Sequence, residues 1–119
     1  MRNLVVMLAV LMINIPAYAR CYDTSVNEDG IDGWTVYFYP GQDAEVHVYG
    51  DGDTDLDCAV LDQSGEPFRA DSSYNKNCHL EWYTRYGGEF TIGVYNQGQV
   101  YNKYSLCTNG RATHAQEVR

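Results

Sequence analysis

An all-β sandwich of about seven or eight short antiparallel strands, stapled by disulfides, is the fold class of this sequence, and three observations predict it. Apolar and polar residues alternate with period two in short runs rich in Tyr, Val, Thr and Phe, as strands with one face in a core require. Eleven glycines, with Asn and Asp, separate those runs where turns are needed and where a helix would be broken. Four cysteines follow an N-terminal segment with the marks of an export signal, and an even count in an exported chain implies two bridges.

The export signal comes first. Arg2 supplies the positive start, Leu4 to Ile15 the apolar stretch, and Ala17-Tyr18-Ala19 the small-residue cleavage site. The apolar run is too short to span a bilayer comfortably. Residues 1–19 therefore read as a signal peptide, 20–109 as one domain, and 110–119, which carry no apolar pattern, as a flexible tail. The destination is periplasmic or extracellular, with no membrane insertion of the mature chain. The formal charge is −8, and −9 once residues 1–19 are removed with their single charged residue, Arg2. Such a field repels nucleic acid and anionic lipid and attracts Ca²⁺ and basic proteins.

The strands follow in order. Trp34, Val36 and Phe38 alternate before Pro40-Gly41; Ala44, Val46 and Val48 before Gly50; Leu56, Cys58 and Val60 before Ser64-Gly65. Leu80 and Trp82 share the parity of Cys78, and then come Phe90, Ile92 and Val94, and Tyr104 and Leu106. These apolar positions form the expected core. Three pairings of the cysteines are open. Inward parity on neighbouring strands favours Cys58 with Cys78, and proximity to the two chain ends favours Cys21 with Cys107.

The run Gly50 to Gly65 places Asp51, Asp53, Asp55 and Asp57 at alternate positions leading into a strand, so the four carboxylates are expected on one face. They must be solvated or share a cation. The spacing fails as an EF-hand, because Leu56 stands where that loop needs glycine. Two readings remain: a sheet-edge Ca²⁺ site built from Asp53, Asp55, Asp57 and, from a later loop, Asp71; or a solvated acidic edge that discourages pairing with another chain. Tyrosine is also abundant, at eleven residues. Tyr37, Tyr39 and Tyr95 fall opposite the core parity, where aromatic rings either stack on a sugar or protein ligand or pair with each other across strands.

The stretch YFYPGQDAEVHVYGDGDTDLDCAVLDQSGEPFRAD, followed by GGEFTIGVYNQG and YNKYSL, resembles the bacterial pre-peptidase C-terminal domain. The likeness runs from about Trp34 to Thr108 in four ordered elements: G-x-x-A-x-V-x-V at Gly41 to Val48, D-x-D-L-D at Asp53 to Asp57, F-T-I-x-V-x-N at Phe90 to Asn96, and N-x-Y-x-L at Asn102 to Leu106. The resemblance implies a jelly-roll-like sandwich without catalytic residues, used by exported hydrolases for secretion or substrate adsorption. Here the pattern follows a signal-peptide-like segment instead of a protease, so the role of an appended module is not carried over.

Catalytic motifs are missing from the sequence: there is no G-x-S-x-G and no H-E-x-x-H. His47 and His79 occupy outward strand positions and His114 lies in the expected tail. The sequence therefore reads as a non-enzymatic exported binding module for a polysaccharide or protein, with Ca²⁺ as an optional ligand. The alternative is an acidic periplasmic inhibitor that masks a basic enzyme such as a lysozyme.

Overall fold

The computed structural model describes residues 19–72 and 76–115. The segment read as a signal peptide, apart from Ala19, lies outside the described residues. Nine strands form two antiparallel sheets among the described residues: β1 (Arg20–Val26), β2 (Ile31–Phe38), β3 (Gln42–Gly50), β4 (Leu56–Leu61), β5 (Pro67–Asp71), β6 (Asn77–Thr84), β7 (Gly88–Asn96), β8 (Asn102–Thr108) and β9 (Arg111–His114). One sheet has the order β1-β8-β3-β6 and the other β5-β4-β7-β2-β9.

The order has a simple origin. β1 pairs with β8, β2 with β7, β3 with β6 and β4 with β5, so the first eight strands make one long hairpin, folded over on itself. That is a jelly roll. The expected strand alternation is borne out: Trp34, Val36, Phe38, Ala44, Val46, Val48, Leu56, Val60, Leu80, Trp82, Phe90, Ile92, Val94, Tyr104 and Leu106 are all buried between the sheets.

Both disulfides form as expected, Cys21–Cys107 and Cys58–Cys78. Cys21 stands directly opposite Cys107 in the β1/β8 register, so this bridge reinforces an existing strand pair. The setting of the second bridge needs correction. Cys58 and Cys78 are buried but belong to β4 and β6 in different sheets, so the bond ties the two layers together through the core.

Two further corrections concern loops and ends. Residues Asp51 to Asp55 form a connection and β4 begins only at Leu56, because Gly50 and the positive-φ Gly52 break the extended chain before the alternation can be read out. The aspartates therefore do not share a strand face. Arg111–His114, part of the 110–119 tail expected to be flexible, instead adds β9 to the edge of β2, with Tyr37 opposite Arg111 and Trp34 opposite His114; residues 116–119 lie outside the described residues. The backbone ladder to β2 and a partly buried hydrogen-bond network on Asp32, described below, hold β9 there despite the absence of an apolar stripe.

Candidate functional site

The acidic loop is held by two fully buried asparagines. Asn96 donates to the carbonyls of Asn27 (3.1 Å) and Val100 (2.8 Å) and accepts from Thr54 Oγ1 (2.7 Å) and the Gly98 amide (2.9 Å). Asn102 accepts from the Asp51 amide at 3.1 Å and donates to Thr54 Oγ1 at 2.7 Å. Asp51 in turn accepts from the amides of Asp53 and Lys103, both at 2.9 Å. Its carboxylate is thus occupied by backbone donors within the fold. These contacts explain two of the sequence motifs physically, since Asn96 closes one and Asn102 opens the other.

Of the proposed Ca²⁺ ligands, Asp53 and Asp55 lie on this loop, Asp57 on β4 and Asp71 at the end of β5. Asp71 faces Cys58 in the β4/β5 register and accepts the His79 amide at 3.0 Å. Gln97 Nε2 donates to Asp57 Oδ2, while Asp57 Oδ1 is buried without a hydrogen-bond partner among the described residues. Burial, followed by the nearby charges of Asp55 and Asp71, raises the Asp57 pKa against the opposing Gln97 bond. No three of the four aspartates bring ligand atoms within 4.8 Å of one another. Among the described residues one trio of potential metal ligands does so, Glu45, His47 and His79 on the other sheet.

The three tyrosines divide into two places. Tyr37 and Tyr39 meet edge to face, centroids 5.4 Å apart, at the end of β2. Tyr95 is on the same sheet, but Tyr37 stands opposite Glu89 and Tyr95 opposite Ile31, which separates them by six residues of strand, roughly 20 Å. There Tyr95 donates to Asp29 Oδ1 at 2.6 Å, and that bond raises its pKa. Its hydroxyl serves the β1–β2 turn.

Tyr37 and Tyr39 line a cleft of about 270 Å³ together with Arg20, Tyr22, Gln42, Asn109 and Arg111. The Arg111 guanidinium lies over the Tyr37 ring, 5.3 Å from its centroid. Tyr39 is 62% exposed. Gln42 is oriented by the Tyr39 amide (2.9 Å) and the Asn109 carbonyl (3.0 Å), and Asn109 is fixed by Glu45 N (3.0 Å) and Asp43 O (2.8 Å). The chain turns from β8 into β9 at Gly110, where a Cβ would come within 2.6 Å of Phe38 and Val36. Glycine is required for that close approach.

What places Arg111 is the anchor of β9. Asp32, fully buried, accepts from Tyr104 OH and faces His114 Nε2 at 2.7 and 2.8 Å. Trp34 Nε1 donates to Tyr104 OH at 2.8 Å, and the His114 ring stacks on Trp34 at 4.2 Å. Arg111, His114 and Asp32 were not legible as site residues, because two of them lie in the expected tail and the third in an unremarkable strand.

No family model and no curated protein matches the chain. Solved structures share its fold. The pre-peptidase C-terminal domain of collagenase from Bacillus anthracis superposes with a TM-score of 0.62 at 11% identity, over 80% of this chain and 89% of that one. PliG of Aeromonas hydrophila, a periplasmic inhibitor of g-type lysozyme, gives 0.58 at 13% identity, over 80% and 88%. The mitogen of Yersinia pseudotuberculosis gives 0.53 at 14%, over 76% and 83%. At these identities the likeness is one of fold, a pre-peptidase-C-terminal-like sandwich. The two disulfides fit an exported protein.

Proposed function

We propose that this protein is an exported, non-catalytic binding module that adsorbs to a polysaccharide through the Tyr37–Tyr39 cleft. The observation that carries the reading is the cleft's construction: two rings at 87° to each other, one capped by Arg111, beside the planar amides of Gln42 and Asn109. Aromatic faces stack on the apolar face of a sugar, and the guanidinium presents paired donors to its hydroxyls. Rigid support from Asn109 and β9 limits the ordering cost of binding.

A second reading, inhibition of a basic enzyme in the periplasm, draws on the net charge and on the PliG-like sandwich. The two differ in salt dependence, since charge-steered association slows steeply with ionic strength and stacking does not.

The test is a glycan array and polysaccharide pull-down at two salt concentrations with wild type, Tyr37→Ala/Tyr39→Ala and Tyr95→Phe. Retention on a glycan that falls at least about tenfold in the double variant, with Tyr95→Phe unchanged, supports the cleft. Equal retention by all three proteins sinks it. Loss of fold in the double variant, seen by circular dichroism, makes the tyrosines structural, and Arg111→Ala then decides the ligand question alone.

A further inference from the structure

We propose that the outer face of the β1-β8-β3-β6 sheet carries a transition-metal site, ligated by His47, His79 and Glu45 with Glu81 as the fourth protein ligand, and that its cation is Zn²⁺. The register creates it. β3 and β6 pair so that Glu45 faces Glu81 and His47 faces His79, and all four occupy the outward parity of their strands. Four potential ligands thereby come to the corners of one cross-strand square.

The distances suit a small tetrahedral ion. His47 Nε2 lies 3.3 Å from Glu45 Oε1, and His79 Nε2 lies 3.7 Å from Glu81 Oε2. Zinc bonds of about 2.0–2.1 Å in tetrahedral geometry place neighbouring ligand atoms roughly 3.3–3.4 Å apart. The two imidazoles stack at 4.0 Å and 15°, and one ligand atom each from Glu45, His47 and His79 lies within 4.8 Å of the others. Glu81 lies outside that trio and the stacked rings do not yet aim their nitrogens at one point, so binding requires the His79 and Glu81 side chains to rotate about the same backbone.

Charge arrangement supports the same conclusion. Directly opposed like charges destabilise a sheet, yet Glu45 opposes Glu81. No lysine or arginine ion-pairs with either carboxylate among the described residues; their partners are the two histidines. A divalent cation bound by both carboxylates neutralises the pair and converts the repulsive Glu45–Glu81 opposition into shared ligation. Neighbours steady the frame. Asp71 Oδ2 accepts the His79 amide at 3.0 Å, and the Tyr49 ring lies parallel to His47 at 5.9 Å. Imidazole and carboxylate together favour zinc and its later-transition neighbours over Ca²⁺ or Mg²⁺, which prefer all-oxygen shells.

The experiment is isothermal titration of untagged, chelator-treated protein with Zn²⁺ alone, paired with Co²⁺ absorption spectroscopy. The expected result is one ion per chain and a visible d–d band of tetrahedral intensity. His47→Ala and His79→Ala should each weaken Zn²⁺ at least about tenfold, Glu81→Gln less, and His114→Ala not at all. All four side chains lie on a solvent-facing surface, so circular dichroism of the variants should match wild type. Failure to bind Zn²⁺ at millimolar concentration overturns the site, as does a His47→Ala/His79→Ala double variant that binds as wild type does.

Discussion

The two ends of the five-stranded sheet handle polar groups in opposite ways. At the acidic end, charges that look available in the sequence are used internally: Asp51 receives two backbone amides, Tyr95 is tied to Asp29, and buried Asn96 and Asn102 hold the loop. At the aromatic end the internal bonds go to supporting groups, Gln42 and Asn109, while Tyr37, Tyr39 and Arg111 line an open cleft. A conspicuous run of like residues can therefore be scaffold, and residues scattered over β2, β3 and β9 can assemble one open cleft.

The largest effect is expected where scaffold is removed. Asn96→Ala loses donors to two carbonyls and the acceptor for Thr54 and Gly98. Buried groups left without partners cost about 1–3 kcal/mol each before relaxation. A loss of about 3 kcal/mol in urea unfolding is expected, with the cleft's ligand affinity per folded molecule unchanged. A cost below about 1 kcal/mol shows that water replaces the side chain and that the loop does not depend on it.

At the other end, His114→Ala should cost less, about 1–2 kcal/mol, because Tyr104 continues to hydrogen-bond Asp32. Its characteristic result is local. The amides of Arg111 to His114 should exchange faster with solvent, and glycan retention should fall although His114 does not line the cleft, because β9 no longer holds Arg111 over Tyr37. Unchanged exchange in β9 breaks the claim that this network sets the cleft.

Asp57→Asn should have a smaller effect of opposite sign. Its folded pKa is raised, so below the ordinary carboxylate range Asp57 is protonated in both states and contributes no difference. As pH climbs from the unfolded to the folded pKa, the unfolded chain ionises first and the fold is penalised. That penalty is complete above the folded value, so the asparagine variant should melt a few degrees higher at neutral pH, converging with wild type in acid. A variant that melts lower at neutral pH shows that the Gln97 bond outweighs burial.

Much of this architecture is legible in period-two alternation: the core positions from Trp34 to Leu106 and the inward parity of Cys58 and Cys78 follow from it, whereas Cys21–Cys107 is expected from the proximity of the chain ends. Alternation fails where the chain leaves the strand. The aspartates could be assigned one face only by extending β4 back across Gly52, whose positive φ the Asp51-Gly52 turn pair already signals. Register is silent. His47 opposite His79 and Arg111 opposite Tyr37 are set by hairpin geometry between segments far apart in sequence. β5 and β9, whose side chains are mostly exposed or half-exposed, carry too little apolar contrast to read at all.

The smallest effect is expected from the most conspicuous residues. Asp53 is exposed and Asp55 half-buried, and neither joins two other acids within ligating distance. Asp53→Asn and Asp55→Asn should each shift stability by no more than about 0.5 kcal/mol, the scale of surface substitutions. Any gain should come from relief of mutual repulsion, and it should shrink as salt screens the charges. Adding millimolar Ca²⁺ to chelator-treated protein should raise the melting temperature no further than the same concentration of Mg²⁺, since both then act only by screening. A rise specific to Ca²⁺ that disappears in Asp55→Asn reverses this outcome. It requires the loop to close around the ion on Asp53, Asp55, Asp57 and Asp71, and it makes the acidic end a ligand site in its own right, erasing the contrast with the aromatic end.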